Sequence, residues 1–382
     1  MSRSSSLLLT LAHTVNDMFS NLISGLLPIF TVVFNLSYLL AGLVAMIFSV
    51  TSSMLQPLLG RWFDRTQTTW LLEGGLALNC IGMSLTGISP NYVILLFLVG
   101  TAGLGTAAFH PPAFSTVARS STTARGGSLS IFLSGGNAGF FLGPLVAGGL
   151  VSTMGLNGTL VLLPIGLLTS LLLFKVRAVK QVSRIIPESG QPSNTRLLGL
   201  LATIAALRST TIQVAVTFLP LYLVTRGESL FLATVVASVW LGTGVLGQIA
   251  GGHISDRIGR RPVIVFSLWV GGGLFYGFLM TGGLLSVLFL AASGAVLYGS
   301  WSVIVAMASE AAPNNVGAVG GLMLGFSIGV GGLAALGFGG VADRVGLNFA
   351  FSLFAAFALV GGLFALALPK HVVRTVSLPS SA

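Results

Sequence analysis

Gly251-Gly252-His253-Ile254-Ser255-Asp256-Arg257-Ile258-Gly259-Arg260-Arg261 stands between two long apolar segments. Four of the ten side chains from Gly252 onward are ionised at neutral pH, in a chain of which only 7% of residues are charged. A charge left in hydrocarbon costs several kcal/mol or demands a partner. The stretch therefore reads as a short, wet turn between two membrane helices. The same shape recurs as Gly60-Arg61-Trp62-Phe63-Asp64-Arg65. Asp64 and Asp256 are 192 positions apart in a chain of 382 residues, so the turn marks a repeat of half the chain.

Working outward, hydrophobic residues make up 54% of the chain, and the mean hydropathy is +0.97. Apolar runs long enough to cross about 30 Å of hydrocarbon follow one another. They place twelve spans at 7–34, 38–60, 70–88, 91–118, 127–151, 158–174, 197–224, 229–251, 262–282, 285–310, 317–340 and 347–368. His13, Asn16 and Asp17 interrupt the first run, which excludes a cleaved signal peptide. The 51 glycines are interleaved with Leu, Val and Phe, as close helix approach in lipid requires. The single cysteine, Cys80, rules out a disulfide framework and a cysteine zinc site.

A net charge of +10 would suit nucleic acid, but its distribution does not. With the N-terminus inside, the inner loops and tails hold fifteen of the eighteen Lys and Arg residues. That bias puts both termini in the cytoplasm of a cell membrane. The polar stretch 176–195 reads as a cytoplasmic linker between bundles 1–175 and 196–382. Gly148-Gly149 and Gly339-Gly340 match at an offset of 191, as do Gly155-Leu156-Asn157 and Gly346-Leu347-Asn348. The expected fold is an all-α membrane protein of twelve transmembrane helices in two pseudo-symmetric six-helix bundles. Its cavity lies between the halves near mid-membrane.

Polar residues inside spans are the candidate site. His13 and Asp17 are four apart and share a helix face with Asn16 nearby. Asp17 lies roughly 15 Å into the first span, where a carboxylate is functional by default or a structural knot between helices. His110 sits at similar depth in the fourth span, beside Pro111 and Pro112, which break the backbone ladder. Arg208 lies roughly 18 Å into the seventh span and needs a carboxylate, backbone carbonyls or an anionic ligand. Asp17 is one candidate partner, and Gln213 could add a hydrogen bond. Asp343-Arg344 reads as a solvated outer turn. Glu310 and Glu73 are placed to touch the charged inner segments.

The pattern G-x-x-x-D-R-x-G-R-R between a second and third helix resembles the signature loop of the major facilitator superfamily of transporters. Gly252, Asp256, Arg257, Gly259, Arg260 and Arg261 complete it in the second half. The first copy keeps Gly60, Asp64 and Arg65 and then departs as Thr66-Gln67-Thr68-Thr69. The resemblance implies that these loops gate the inner side. Ala12-His13-Thr14-Val15-Asn16-Asp17-Met18, Ser53-Met54-Leu55-Gln56-Pro57-Leu58-Leu59-Gly60, Gly105-Thr106-Ala107-Ala108-Phe109-His110-Pro111 and Gly135-Gly136-Asn137-Ala138-Gly139-Phe140-Phe141-Leu142-Gly143-Pro144 together resemble the fosmidomycin-resistance group of exporters. That implies proton-driven export of a small, often anionic, drug-like molecule, with Asn137 among the candidate residues. Gly139, Gly143 and Pro144 also resemble the antiporter motif of the fifth helix, with Ala147 in place of a glycine.

The expected protein is a monomeric secondary transporter working by alternating access, with protons and a small molecule as partners. It needs no cofactor, and the spacing of its histidines suggests no metal. No phosphate-binding glycine–lysine pattern occurs, so neither an ATP-driven pump nor an enzyme is indicated. The rivals are an importer of a sugar or organic acid and a membrane sensor that moves nothing.

Overall fold

The computed structural model describes residues 3–66, 68, 70–120, 125–176, 194–312 and 316–370. Most of the linker expected at 176–195 lies outside them. Among the described residues the chain is helical and holds no strand. The first span is α1 (Arg3–Ser20) followed by α2 (Leu22–Val33), parted at Asn21. The second is α3 (Tyr38–Ser49), a π turn at Val50–Met54, and α4 (Gln56–Thr66). Then come α5 (Trp70–Leu85), α6 (Tyr92–Ser120), α7 (Arg125–Met154) and α8 (Leu162–Leu173). The second half is α9 (Thr195–Thr225), α10 (Leu230–Ile258), α11 (Arg260–Met280), α12 (Gly283–Ala311), α13 (Val316–Val345) and α14 (Leu347–Ala365).

Among the described residues, eleven helical stretches are long and apolar enough to cross a membrane. The broken first span, with its polar cluster, is the twelfth. The fold is that of an all-α membrane protein with twelve spans in two pseudo-symmetric bundles. The symmetry extends to capping. Ser37 accepts a hydrogen bond from the Leu40 N–H, and Ser229 one from the Leu232 N–H. These helix caps are 192 positions apart, the same offset as the two aspartates.

The opening stretch corrects one expectation. Helix α10 runs on to Ile258, so Gly252, Asp256 and Arg257 are helical, and Gly259 is the break, at φ +95°. Only glycine adopts that conformation without strain. In the first half Gly60, Asp64 and Arg65 likewise belong to α4. Arg65, Asp256 and Arg257 are exposed, in the last turns of these helices. Asp343 and Arg344 are also helical, in the last turn of α13.

Within each half the helices pack densely, α1 on α7, α5 on α6, and α10 and α11 on α12. The halves meet along two pseudo-equivalent seams, α3 with α13 and α7 with α10. Arg61, Arg65, Lys175, Arg196, Arg257, Arg260, Arg261 and Lys370 all lie at the end where α1 begins, the basic end. The seams close from mid-span toward the far end. Ser53 and Met54 meet Gly325 and Gly329, Gly42 meets the Ala335 backbone, and Gly339 meets the Tyr38 carbonyl. On the other seam Phe141 meets Gly242, and Gly148 meets Thr234. Between the first spans of the two halves, α2 packs on α9, where Ser24 donates to the Val216 carbonyl. By contrast α1 packs on its own half. Among the described residues, the contacts between the halves toward the basic end are the slighter ones, of α13 with α4.

Candidate transport site

Asp17 is the hub of the polar cluster in α1. His13, one turn earlier, brings Nε2 to 3.2 Å from Asp17 Oδ2. His110, from α6, brings Nε2 to 3.2 Å from Oδ1. The Asn16 amide donates to Oδ1 at 2.9 Å. The His13 side chain is 5% exposed, whereas Asp17 and His110 each keep 19%. One side of the carboxylate is thus sealed and the other is reachable. Helix α6 continues through Pro111 and Pro112 rather than stopping there.

The hydrogen-bond chemistry decides what this arrangement holds. His13 Nδ1 lies 2.8 Å from the Phe132 carbonyl oxygen, which can only accept. Nδ1 therefore carries a proton, and in a neutral imidazole Nε2 is then bare. The contact from Nε2 to Asp17 Oδ2 is a hydrogen bond only when one proton lies between them. It is either an imidazolium facing a carboxylate or an imidazole facing a carboxylic acid. The His13 ring stacks on Phe132 at 4.1 Å between centroids, which fixes its plane.

Three supporting residues carried no role in the sequence reading. Asn79 of α5 donates to the Asn16 carbonyl at 2.9 Å and to Asn16 Oδ1 at 3.0 Å. That turns the Asn16 NH2 toward Asp17. Gln56 donates to the Ser52 carbonyl at 2.7 Å, and its amide nitrogen lies 3.5 Å from His110 Nδ1. A Cβ at Gly136 would fall 2.6 Å from His13 Nε2 and 2.7 Å from Asp17 Oδ2. Asn79, a polar residue in an apolar run, was a visible signal. Gly136 stood in a quoted motif, but its neighbours on α1 were not readable. Asn137 follows it and is half-buried.

The glycines of α7 bring the helices this close. Gly135 faces Thr10, Gly139 faces the Thr14 carbonyl, and Gly143 faces the Met18 carbonyl. Small residues at a four-residue period let two backbones touch. On the α2 side of the break, Gly25 lies against Pro144 and Ala147.

The ligand atoms of His13, Asp17 and His110 lie within 4.8 Å of one another, a donor set that also suits a metal ion. The sequence spacing that suggested no metal was thus no guide to spatial grouping.

Arg208 is buried in the second half, apart from this cluster's bonds. Its Nε donates to Ser300 Oγ at 2.9 Å and to the Leu297 carbonyl at 3.3 Å. Its guanidinium lies over the rings of Tyr298 and Trp301, at 5.5 and 5.2 Å. These neighbours all come from α12, so the suggested pairing with Asp17 gives way to carbonyl, hydroxyl and aromatic contacts. Gln213 packs against Gly331 of α13.

At the basic end Arg260 is the junction. It donates to Asp256 Oδ1 at 2.6 Å, to Ser255 Oγ at 2.6 Å and to Glu310 Oε1 at 2.9 Å. It therefore ties the α10–α11 corner to the end of α12. Arg257 is exposed, and Arg261 is half-buried. In the first half Gly60 lies near Pro111, and Arg65 is exposed. Glu73 departs from the expected loop contact. It is buried against α8, Ser170 donates to its carbonyl at 2.8 Å, and its Oε2 has no partner among the described residues.

Two related six-helix halves with a polar cluster inside the first span are an architecture that membrane transporters use. The family model of the Major Facilitator Superfamily matches residues 9–323, and the chain belongs to that family of membrane transporters. It is 29% identical over 372 residues to the fosmidomycin resistance protein of Escherichia coli strain K12, covering 93% of this chain and 90% of that one. It is 27% identical to the uncharacterised transporter YfnC of Bacillus subtilis strain 168, covering 95% and 92%. A bacterial homologue of the human lysosomal transporter Spinster, solved inward-facing and occupied, shares the fold at a TM-score of 0.82 and 16% identity, over 94% of this chain and 95% of that one. A D-xylose–proton symporter shares it at 0.74 and 16% identity, over 96% and 97%.

Proposed function

We propose that this transporter exports a small, anionic, drug-like molecule in exchange for protons, by alternating access. The observation that carries the reading is Asp17 held between His13 and His110 inside the first span, with part of its carboxylate still accessible. Its contact with His13 requires one proton, and its accessible edge lets that proton exchange. The name of the Escherichia coli relative supports a drug-like cargo and the outward direction. Arg208, a cation at similar depth in the other half, supports an anionic one.

In the proposed cycle the cargo enters from the basic end, near His13, Asp17, His110 and Arg208, with Asn16, Asn137 and Gln213 nearby. The seams loosen at the far end, and the basic end closes on its helix-end segments. A proton taken up at the Asp17 cluster displaces the cargo, and its release at the basic end resets the carrier. Moving one charge through 100 mV supplies about 2.3 kcal/mol. By the charge bias the basic end is cytoplasmic, and 176–195 joins bundles 1–175 and 196–382 there. The protein acts as a monomer in the cell membrane.

The test is Asp17→Asn. Cells expressing the wild type are expected to survive fosmidomycin better than cells without it. Cells expressing the folded variant at equal membrane abundance should lose that advantage. Equal resistance from the variant would defeat the assignment. The same fold serves a D-xylose–proton symporter, so the direction of fosmidomycin flux in vesicles of known orientation separates export from import.

A further inference from the structure

The seam between α3 and α13 ends in a contact that the cycle above does not use. Asp343, in the last turn of α13, accepts hydrogen bonds from the Tyr38 N–H at 2.7 Å and the Leu39 N–H at 3.0 Å. These are the first two peptide groups of α3. A helix N-terminus leaves four N–H groups without intrahelical partners. Ser37 takes the Leu40 N–H, so two of the three covered groups are satisfied from the opposite half of the protein. A carboxylate there also faces the positive end of the helix dipole. One turn earlier, Gly339 lies so close to the Tyr38 carbonyl that no Cβ would fit, and Gly340 flanks Leu39. Helix α13 is laid flush on the start of α3, and the aspartate closes the contact.

The other seam is built on the same plan but in a different register. Ser229 caps α10, and Gly148 lies against Thr234. At the offset of 191 that relates Gly148 to Gly339, the residue matching Asp343 is Ser152. That seam has a serine cap, but its close-approach glycine meets α10 one turn deeper, and the matching position holds no carboxylate.

We propose that Asp343 is the latch of the far-end gate, a positioning residue that stabilises the far-closed state by capping α3 from the opposite half. The latch rests on the alternating-access reading but not on the cargo or the coupling ion. When the far end opens, the two N–H groups must turn to water, so the cap biases the equilibrium toward closure.

The experiment places spin labels at Pro90 and Gly282, in far-end turns of the two halves, with Cys80→Ser as background. Electron–electron distance distributions are then recorded without cargo. Asp343→Ala is expected to raise the long-distance, far-open population roughly five- to tenfold, the effect of removing a helix cap. Asp343→Asn should raise it less, because an amide oxygen still accepts. Arg344→Ala should leave it unchanged. Wild-type distributions in both Asp343 variants, with two distances visible in the wild type, would overturn the latch alone. A single short distance in every variant, with or without fosmidomycin and at any pH, would defeat the two-state reading and the latch with it. If Asp343→Ala does not fold, the Asp343→Asn shift decides.

Discussion

Gly136 keeps its place by having no side chain. A methyl group there would press on His13 Nε2 and Asp17 Oδ2, the two atoms that share a proton. Gly136→Ala is therefore expected to cut pH-driven flux by one to two orders of magnitude, as small misplacements at reacting groups do, while the thermal melt shifts little. Asn79→Leu removes the donor that orients Asn16 and leaves Asn16 Oδ1 buried without a partner. It should cost about 1–3 kcal/mol of stability, measurable by denaturant unfolding in detergent. In an Asp17→Asn background it should cause no further loss of flux, because the two residues act through one cluster. His13 and Asp17 were legible in the sequence because they interrupt an apolar run at helical spacing. His110 was legible from its depth. Gly136 was not, since its importance lies in what α1 places opposite it. Arg208 was half-legible. Its depth showed that it needs partners, but depth does not say which face a side chain takes, and the partners turned out to be on α12.

At the scale of the element, the charged corner between α10 and α11 shows how helices end in this protein. Gly259 sits at φ +95° and ψ 161°, a region almost confined to glycine, where a residue with a Cβ is strained by about 1–3 kcal/mol. Gly259→Ala should lower the melting temperature and loosen the Arg260 contacts. Arg260→Lys keeps the charge but loses the planar fork that reaches Asp256, Ser255 and Glu310 together. It should slow flux, and Glu310→Gln should slow it to a similar degree, with little added when the two are combined. Radiolabelled fosmidomycin efflux from cells checks both. The spans themselves were readable because each needs a long apolar run. Their ends were not, because a charged last turn beyond the hydrocarbon is as good a helix as a loop is a loop. The break of the first span at Asn21 and the π turn before Gln56 also escaped. Both depend on contacts with other helices rather than on local propensity.

For the whole molecule, the repeat at 191–192 positions made two related halves visible before any coordinates. It could not say which end of the seams is closed, because a symmetric pattern favours neither. The closed far end follows from pairs that only the fold brings together, such as Gly42 with the Ala335 backbone. Gly42→Leu should wedge that seam and enlarge the far-open population seen with the Pro90–Gly282 label pair. The central claim is that Asp17 carries the proton exchanged for cargo. Its most direct measurement uses purified protein in vesicles, with a trapped pH dye and fosmidomycin on one side. In the wild type, cargo moving down its gradient should drive protons the other way. In Asp17→Asn that proton movement should vanish, while exchange of labelled for unlabelled fosmidomycin persists. Proton movement of wild-type size in Asp17→Asn would contradict the claim.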